Sequence, residues 1–270
     1  MGPIIPIFHY SNSPMKGVLI CGGSGTRLRP LTAITNKSLL PVYDRPLIDF
    51  PLQTLIAAGI KNIIVISGNE HIDQMASYLG SGAEKGCKFS YRVQEKAEGI
   101  AQALGMAEEF AGGDSVCAIL GDNIYFDDLS HAIRSFKKGG HVFLKEVPDA
   151  ERFGVASLVT LVTPLRLGSG QAQRATRDDN AVQVESIEEK PKKPKSKFAV
   201  TGCYVYDNRC FEVIRNLKPS ARGEFEITDV STWYLDQKEL TASVLKGEWI
   251  DAGTFESLFR AAQTVRDRQR

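Results

Sequence analysis

Short apolar runs alternate with helical segments through the first half of the chain, and this alternation is what most limits its fold. The runs of strand length are residues 17–21, 62–66, 88–93 and 115–120, and the segments with helical spacing are residues 48–58, 71–79 and 99–110. Alternation at this interval predicts βαβ units around a mainly parallel sheet. We therefore expect an α/β fold of the Rossmann-like, doubly wound type, in which ligands bind beyond the carboxyl ends of the strands.

The second half is less regular, but it shows no linker at which the chain would divide. Residues 153–162, 181–186 and 198–206 have the pattern of strands, and residues 225–236 and 255–268 that of helices. The polar residues 167–180 suggest an extended hairpin tip. Residues 1–14 contain three prolines and have no helical period, so we interpret them as an extension or a cloning remnant. A single domain over residues 15–270 is expected.

Composition excludes several classes of protein. The 270 residues carry a formal net charge of +1, which gives no sign of a nucleic-acid or membrane partner. No apolar run reaches the length of a membrane span. The five cysteines form no CxxC pair and the four histidines are scattered, so we expect reduced thiols in the cytoplasm, with neither disulfides nor a zinc site.

A glycine-rich segment, residues 22–30, follows the first predicted strand. Glycines let backbone N–H groups approach phosphate oxygens closely, and Arg27 and Lys37 would add positive charge. The segment lacks the Gly-Lys-Ser/Thr of a P-loop, and Leu28 and Pro30 stand where a dinucleotide fingerprint needs a glycine that opens a helix. A plain glycine-rich turn and a solvated lysine are the alternatives to a phosphate site.

Two aspartates, Asp122 and Asp251, each stand where an apolar run ends. Carboxylates are ligands that Mg²⁺ prefers when it also contacts substrate phosphates. Capping of a turn or a helix is the alternative, because aspartate often has that role. We expect both carboxylates to hold the metal ion.

The combined motifs resemble the sugar-1-phosphate nucleotidyltransferases, in particular those that transfer a thymidylyl group to glucose 1-phosphate. The resemblance covers nearly the whole chain from Met15 and is carried by residues 22–28, 41–46, 99–103, 120–123, 151–155, 188–191, 199–202 and 220–229. It implies dTTP and α-D-glucose 1-phosphate as substrates, Mg²⁺ as cofactor and a homo-oligomer, dimer or tetramer. It also implies a nucleotide-binding part over about residues 15–125 and a small β-rich, sugar-binding part over about residues 126–270.

The resemblance implies roles for individual residues. Those implied to bind the nucleotide are Gly22, Gly23, Ser24, Gly25, Thr26, Gln94 and Gly99, and those implied to be catalytic are Arg27, Lys37 and Asp122. Those implied to bind the sugar phosphate are Asn123, Gly154, Glu189, Lys190 and Val200. Transfer would proceed by attack of the sugar phosphate on the α-phosphorus, with release of pyrophosphate and without a general base.

Three alternatives stay open. The same chemistry could use UTP or another sugar 1-phosphate, the protein could sense a nucleotide without turnover, or a similar sheet could serve a dinucleotide-dependent oxidoreductase. The segment between Gly154 and Glu189 is longer than in the family, and the family continues past the position of Arg270 with helices used for subunit contacts and regulation. Tetramer formation and feedback inhibition therefore stay open at this point, whereas the chemistry is expected.

Overall fold

The computed structural model describes residues 15–23, 25–159 and 181–270. The strands of the first half are β1 (Lys16–Cys21), β2 (Pro41–Val42), β3 (Arg45–Pro46), β4 (Asn62–Gly68), β5 (Lys88–Gln94), β6 (Val116–Leu120) and β7 (Asn123–Tyr125). The helices of this half are α1 (Asp49–Ala57), α2 (Ile72–Leu79), α3 (Ile100–Gly105) and α4 (Glu108–Ala111).

The strands of the second half are β8 (Gly140–Glu146), β9 (Gly154–Leu158), β10 (Ala181–Val182), β11 (Val184–Glu189), β12 (Phe198–Tyr206), β13 (Leu240–Val244) and β14 (Trp249–Asp251). The helices are α5 (Ser130–Ser135), α6 (Arg209–Asn216), α7 (Ile227–Asp236) and α8 (Phe255–Arg268). Single 3₁₀ turns lie at Thr26–Leu28, Leu31–Ala33, Lys37–Leu39, Ala83–Lys85 and Ala150–Arg152.

One mixed sheet organises the molecule. Its main order is β10-β13-β8-β12-β6-β1-β4-β5, in which β6, β1, β4 and β5 are parallel neighbours. Strand β12 is antiparallel to both β6 and β8, and it also pairs with β9, which carries β11. The expected mixed, mainly parallel α/β sheet is confirmed.

Helices cover both faces of the sheet because alternate residues of each strand point to opposite sides. In β1, Val18 and Ile20 pack in one core cluster with residues of α3, α6 and α7. Leu19 and Cys21 belong to a second cluster with residues of α1, α2 and α5. This two-sided cover is the doubly wound arrangement that the sequence predicts.

Several predicted boundaries differ in detail. The single helix predicted over residues 99–110 is wrong: α3 ends at Gly105 and α4 starts at Glu108. A side chain at Gly105 would come within 2.9 Å of Ile214 Cγ2, so the glycine that weakens the helix also lets α6 pack closely. The strand predicted over 181–186 is divided at Gln183 into β10 and β11, and β9 ends at Leu158.

Other expectations fall on residues that the structure does not describe. The predicted hairpin tip 167–180 and the extension 1–14 lie outside the described residues, as does Ser24. Among the helices in the described ranges, none is long and apolar enough to cross a membrane.

Candidate active site

A cleft of about 480 Å³ lies at the carboxyl ends of the parallel strands. Most of the predicted site residues line it, from both halves of the chain: Gly22, Gly23, Arg27, Lys37, Gln94, Gly99, Asp122, Asn123, Gly154, Glu189, Lys190, Val200 and Asp251. Gly25 lines an adjoining pocket, and Thr26 lines neither of the two. The edge of the sheet that the sequence indicates is therefore where these residues meet.

The ion pair of Lys37 and Asp122 lies at the centre of the cleft. Asp122 follows β6 after Gly121 and is 4% exposed, and its Oδ2 atom accepts a hydrogen bond from Lys37 Nζ. Burial raises the pKa of Asp122 and lowers that of Lys37, but the attraction between the two charges outweighs it. The pKa of Asp122 is therefore lowered and that of Lys37 raised, so both groups are charged near neutral pH.

The turn that carries Lys37 is fixed by its neighbour Asn36. The Asn36 side chain accepts a hydrogen bond of 2.8 Å from Ser38 N and donates one of 2.8 Å to the carbonyl oxygen of Cys21, the last residue of β1. This asparagine thus caps the 3₁₀ turn and ties it to the end of the strand. Lys37 is held against the sheet edge by a local motif.

Asp251 reaches the same place through pairing of two short strands. Strands β14 and β7 are antiparallel with Asp251 opposite Asn123, and Ala252 N donates to the carbonyl oxygen of Asp122 at 2.9 Å. Burial and then the charge of Asp122 raise the pKa of Asp251 to about 6. The fold thus holds two carboxylates close together although 129 positions separate them in the sequence.

This pair of carboxylates suits a hard divalent cation. The mutual repulsion that raises the pKa of Asp251 is relieved when a cation lies between the two groups. Within the described residues no group of three or more His, Cys, Asp or Glu side chains could hold a metal ion. A site with two carboxylates fits Mg²⁺, which keeps waters and takes phosphate oxygens as its other ligands.

Three cationic side chains surround the carboxylates. Arg27 contacts the loop after β14: a side chain at Gly253 would lie 2.8 Å from Arg27 Nη2 and 3.0 Å from Asp251 Oδ1. Arg152 Nη2 lies 3.8 Å from Asp251 Oδ2, and Lys37 contacts Asp122. Arg152 also forms an ion pair with Asp149 (Nη1 to Oδ2, 2.5 Å), so the three cations are balanced by three carboxylates. The guanidinium and ammonium groups are nevertheless donors that suit phosphate oxygens.

One end of the cleft, called here the apolar slot, suits a flat, largely apolar group. Its lining from β1, the residues after β5 and α3 includes Ile20, Ala97, Ile100 and Ala103. The Gln94 amide lies against Gly22, where any larger residue would collide with Gln94 Oε1. Gly99 has φ +114°, and a side chain there would collide with the backbone of Phe225. Gly99 is therefore required by the backbone of Phe225, whereas a side chain at Gly22 would displace the end of the Gln94 side chain.

The opposite end is polar. Asn123 Oδ1 accepts hydrogen bonds from Gly202 N (3.2 Å) and from Trp249 Nε1 (2.7 Å), so its orientation is fixed. Glu189 accepts from Thr228 Oγ1, and its Oε1 atom lies 3.2 Å from Arg222 Nη2 and 3.7 Å from Lys190 Nζ. The carboxylate and amide groups are suited to hydroxyl groups, and the cations Lys190 and Arg222 beside Glu189 are suited to a single phosphate.

Sequence reasoning assigned no role to several lining residues. Arg152, Arg222, Glu224, Glu226, Thr228, Tyr204 and Trp249 all line the cleft. Most of them stand in the segments that carry the family resemblance, 151–155 and 220–229, which was the available signal. Arg222 is held by Glu226 Oε2 at 2.8 Å, a contact that only the arrangement of the loop before α7 reveals.

Known proteins are similar to this chain over most of its length. The nucleotidyl transferase family matches residues 16–268. A glucose-1-phosphate thymidylyltransferase of Neisseria meningitidis is 43% identical over 93% of this chain and 82% of its own length, and one of Mycobacterium tuberculosis is 41% identical over 95% and 84%.

Solved structures show the same fold. A Bacillus anthracis structure, described as that of a glucose-1-phosphate thymidylyltransferase in complex with sucrose, is 47% identical to this chain with a TM-score of 0.81, over 94% of this chain and 96% of that one. A UDP-glucose pyrophosphorylase structure, 23% identical with a TM-score of 0.80 over 94% and 99%, shares the fold. The chain belongs to the nucleotidyl transferase family and is similar over nearly its whole length to glucose-1-phosphate thymidylyltransferases.

Proposed function

We propose that the protein transfers a thymidylyl group from dTTP to α-D-glucose 1-phosphate, giving dTDP-glucose and pyrophosphate. The observation that carries this proposal is the cleft that joins an apolar slot, a cationic centre with two carboxylates, and a polar end. The names of the relatives support the choice of thymidylyl group and of glucose 1-phosphate.

In the proposed reaction an oxygen of the sugar phosphate attacks the α-phosphorus of dTTP. The new oxygen–phosphorus bond forms as the bond to the β-phosphate breaks, and pyrophosphate carries away the electron pair. The nucleophile is already an anion, so no side chain has to remove a proton. Catalysis then depends on position and on neutralisation of charge.

Arg27 and Lys37 are proposed to bind the triphosphate and to stabilise the charge of the transition state. The glycine-rich segment 22–26 would supply backbone N–H groups beside them. Asp122 and Asp251 are the residues that would hold Mg²⁺, whose chemistry there is neutralisation of phosphate charge. Lys37 contacts Asp122, so a triphosphate bound by this lysine would lie beside the proposed metal site.

At the polar end, Lys190 is proposed to meet the phosphate of the sugar and Glu189 its hydroxyl groups. Lys190 Nζ lies 3.7 Å from Glu189 Oε1, and a side chain at Gly154 would lie 3.0 Å from Thr228 Oγ1 and 3.4 Å from Glu189 Oε2, so glycine lets these groups come close. Asn123 and the backbone of Val200 complete the proposed sugar site. Gln94 and Gly99 are proposed to contact the base.

Three broader expectations belong to the same proposal. We propose that the product serves deoxysugar synthesis, that the protein works in the cytoplasm, and that it forms a dimer or tetramer of identical chains. All five cysteines are free, which suits a reducing compartment. Phe255 and Phe259 are exposed on one face of α8 and offer apolar surface for a subunit contact.

The test is pyrophosphate release with glucose 1-phosphate and Mg²⁺, in which dTTP is compared with UTP, GTP, CTP and ATP. Release with dTTP that requires both sugar phosphate and metal supports the proposal. Release only with another nucleotide would support the same type of reaction but would assign a different base to the nucleotide substrate. Binding of dTTP without turnover, across a panel of sugar phosphates, would favour a nucleotide sensor instead.

A further inference from the structure

The apolar slot contains one side-chain amide whose orientation decides what it offers to a ligand. The lining from β1, β5, the residues after it and α3 is apolar or glycine except for Gln94. An amide side chain presents either its oxygen, an acceptor, or its NH₂ group, a donor. The choice between the two determines which ring edge can pair with it.

Gln102 on α3 fixes this choice. Gln94 Nε2 donates a hydrogen bond of 2.6 Å to Gln102 Oε1, while Gln94 Oε1 lies against Gly22 at the wall of the slot. No hydrogen bond to Gln94 Oε1 is found within the part of the chain that the structure describes. The oxygen is therefore the atom that Gln94 turns toward the slot.

The orientation of Gln102 is itself supported from the next turn of its helix. Gln102 Nε2 lies 3.9 Å from Met106 Sδ, a weak acceptor. Gln102 does not line the cleft, so it acts on a ligand only through Gln94. The two glutamines and Met106 form a hydrogen-bonded chain that runs outward from the slot.

The geometry points to Gln102 as a positioning residue that makes the slot selective for a heterocycle with a ring N–H at its pairing edge. Thymine and uracil carry this N–H at N3, whereas cytosine has an unprotonated acceptor nitrogen there. A base with an acceptor at this position faces Gln94 Oε1 without a hydrogen bond, which costs binding free energy. This inference rests on the proposed function, because it names how the base of the nucleotide is chosen.

Three variants of Gln102 test the inference. Gln102→Met keeps the approximate size but removes the acceptor, so the Gln94 amide is free to rotate. Gln102→Glu keeps an acceptor and no donor, so it still holds Gln94 Nε2. The added negative charge changes kcat/KM for all nucleoside triphosphates alike, so its effect cancels when kcat/KM for one nucleotide is divided by that for another. Gln102→Ala also removes the acceptor and replaces Gln102→Met if that variant does not fold.

The measurement is the ratio of kcat/KM for dTTP to that for dCTP, with dUTP included to separate the 5-methyl group from the ring edge. In Gln102→Met we expect kcat/KM for dTTP, divided by kcat/KM for dCTP, to fall about tenfold or more, and the corresponding ratio for dUTP to fall equally. This is the scale of one unpaired buried group. In Gln102→Glu the ratios should stay within about threefold of the parent, because the acceptor that fixes Gln94 is kept.

An unchanged ratio in Gln102→Met, or an equal loss in Gln102→Glu, would overturn the inference. Failure of the proposed function gives a different result, because the parent protein would then release no pyrophosphate with dTTP. In that case the dissociation constants of dTTP, dUTP and dCTP, measured by calorimetry on the same variants, test the inference in the same direction.

Discussion

The charged groups at the centre of the cleft show what single residues contribute. Asp122 is buried, and its oxygens are engaged by Lys37 Nζ and by Asn123 Nδ2 at 3.0 Å. Removal of one partner leaves a buried charge uncompensated, and this costs more than the bond itself is worth. These residues are therefore poor candidates for neutral substitution, whatever ligand the cleft holds.

Asp122→Asn and Arg27→Ala should each lower turnover by about two orders of magnitude or more, the scale of losing one preorganised electrostatic group. The measurement is steady-state pyrophosphate release by folded, purified protein. Asp73→Asn, an exposed aspartate on α2, serves as the control and should keep parental activity. Near-normal turnover in either cleft variant would remove that residue from the catalytic set.

Among the secondary-structure elements, the connection after β6 packs closely against the end of β1 and against the turn that carries Lys37. A Cβ atom at Gly121 would lie 2.6 Å from Cys21 Sγ and 2.7 Å from Ser38 Oγ. Both neighbours are buried. The strand end, the turn and Asp122 can therefore meet only if residue 121 has no side chain.

Gly121→Ala should lower the free energy of unfolding by about 1–3 kcal/mol, the usual cost of overpacking, and should lower turnover by displacing Asp122 from Lys37. Gly68→Ala is the matched control, since Gly68 ends strand β4 of the same sheet with nothing within 4 Å of the added atom. Urea denaturation and turnover are measured on both. Equal effects at the two glycines would contradict the explanation.

Asp207 joins the end of β12 to three other parts of the fold. Its carboxylate accepts hydrogen bonds from Gly139 N (2.8 Å), Arg209 Nη2 (2.6 Å) and Tyr234 Oη (2.7 Å). Burial raises the pKa of Asp207, but these bonds outweigh it and lower the pKa below its ordinary 3.8. The carboxylate thus stabilises the fold above pH 3.8, and this stabilisation is lost as the pH falls through the lowered value.

We therefore expect Asp207→Asn to lower the free energy of unfolding by about 1.5–3 kcal/mol at pH 7, the range for hydrogen bonds to a charged group. The difference from the parent should shrink below pH 3.8. Urea titrations at pH 7, 5 and 3.5 check this, with Asp236→Asn, an exposed aspartate of α7, as the control. If the difference in unfolding free energy between the parent and Asp207→Asn grew as the pH fell, the assigned direction of the pKa shift would be contradicted.

At the scale of the whole molecule, the cleft joins both halves of the chain. Gly22 and Gln94 come from the first half, Glu189 and Asp251 from the second, and β12 lies between β6 and β8 in the same sheet. A ligand that contacts both halves stabilises the folded state as a unit, because it binds the assembled cleft and not the unfolded chain.

Saturation with dTTP and Mg²⁺, at about 100 times the dissociation constant, should raise the melting temperature by about 5 °C or more. Differential scanning calorimetry checks this. NADH should give no shift, which tests the alternative of a dinucleotide-dependent oxidoreductase. A rise in melting temperature with NADH and none with dTTP would favour the oxidoreductase over the nucleotidyltransferase.

Parts of the site could be predicted from sequence because they are local. Gly22 and Asp122 each follow a buried apolar run, and strand ends in a parallel sheet meet at one edge, so both lie in the cleft as expected. The pairing of Gln94 with Gln102 has no such signal. A spacing of eight positions between two glutamines does not by itself indicate a contact. The turn between β5 and α3 is what brings their amides together.

Residue periodicity is enough to predict the α/β class, the two-sided cover of the sheet and the edge at which the cleft lies, because it decides which face of each strand is buried. Tertiary structure alone decided the rest. Pairing of β14 with β7 brought Asp251 to Asp122, and packing before α7 brought Arg222 to Glu189. Contacts between distant segments depend on register and packing of whole elements, and no local pattern of residues encodes these.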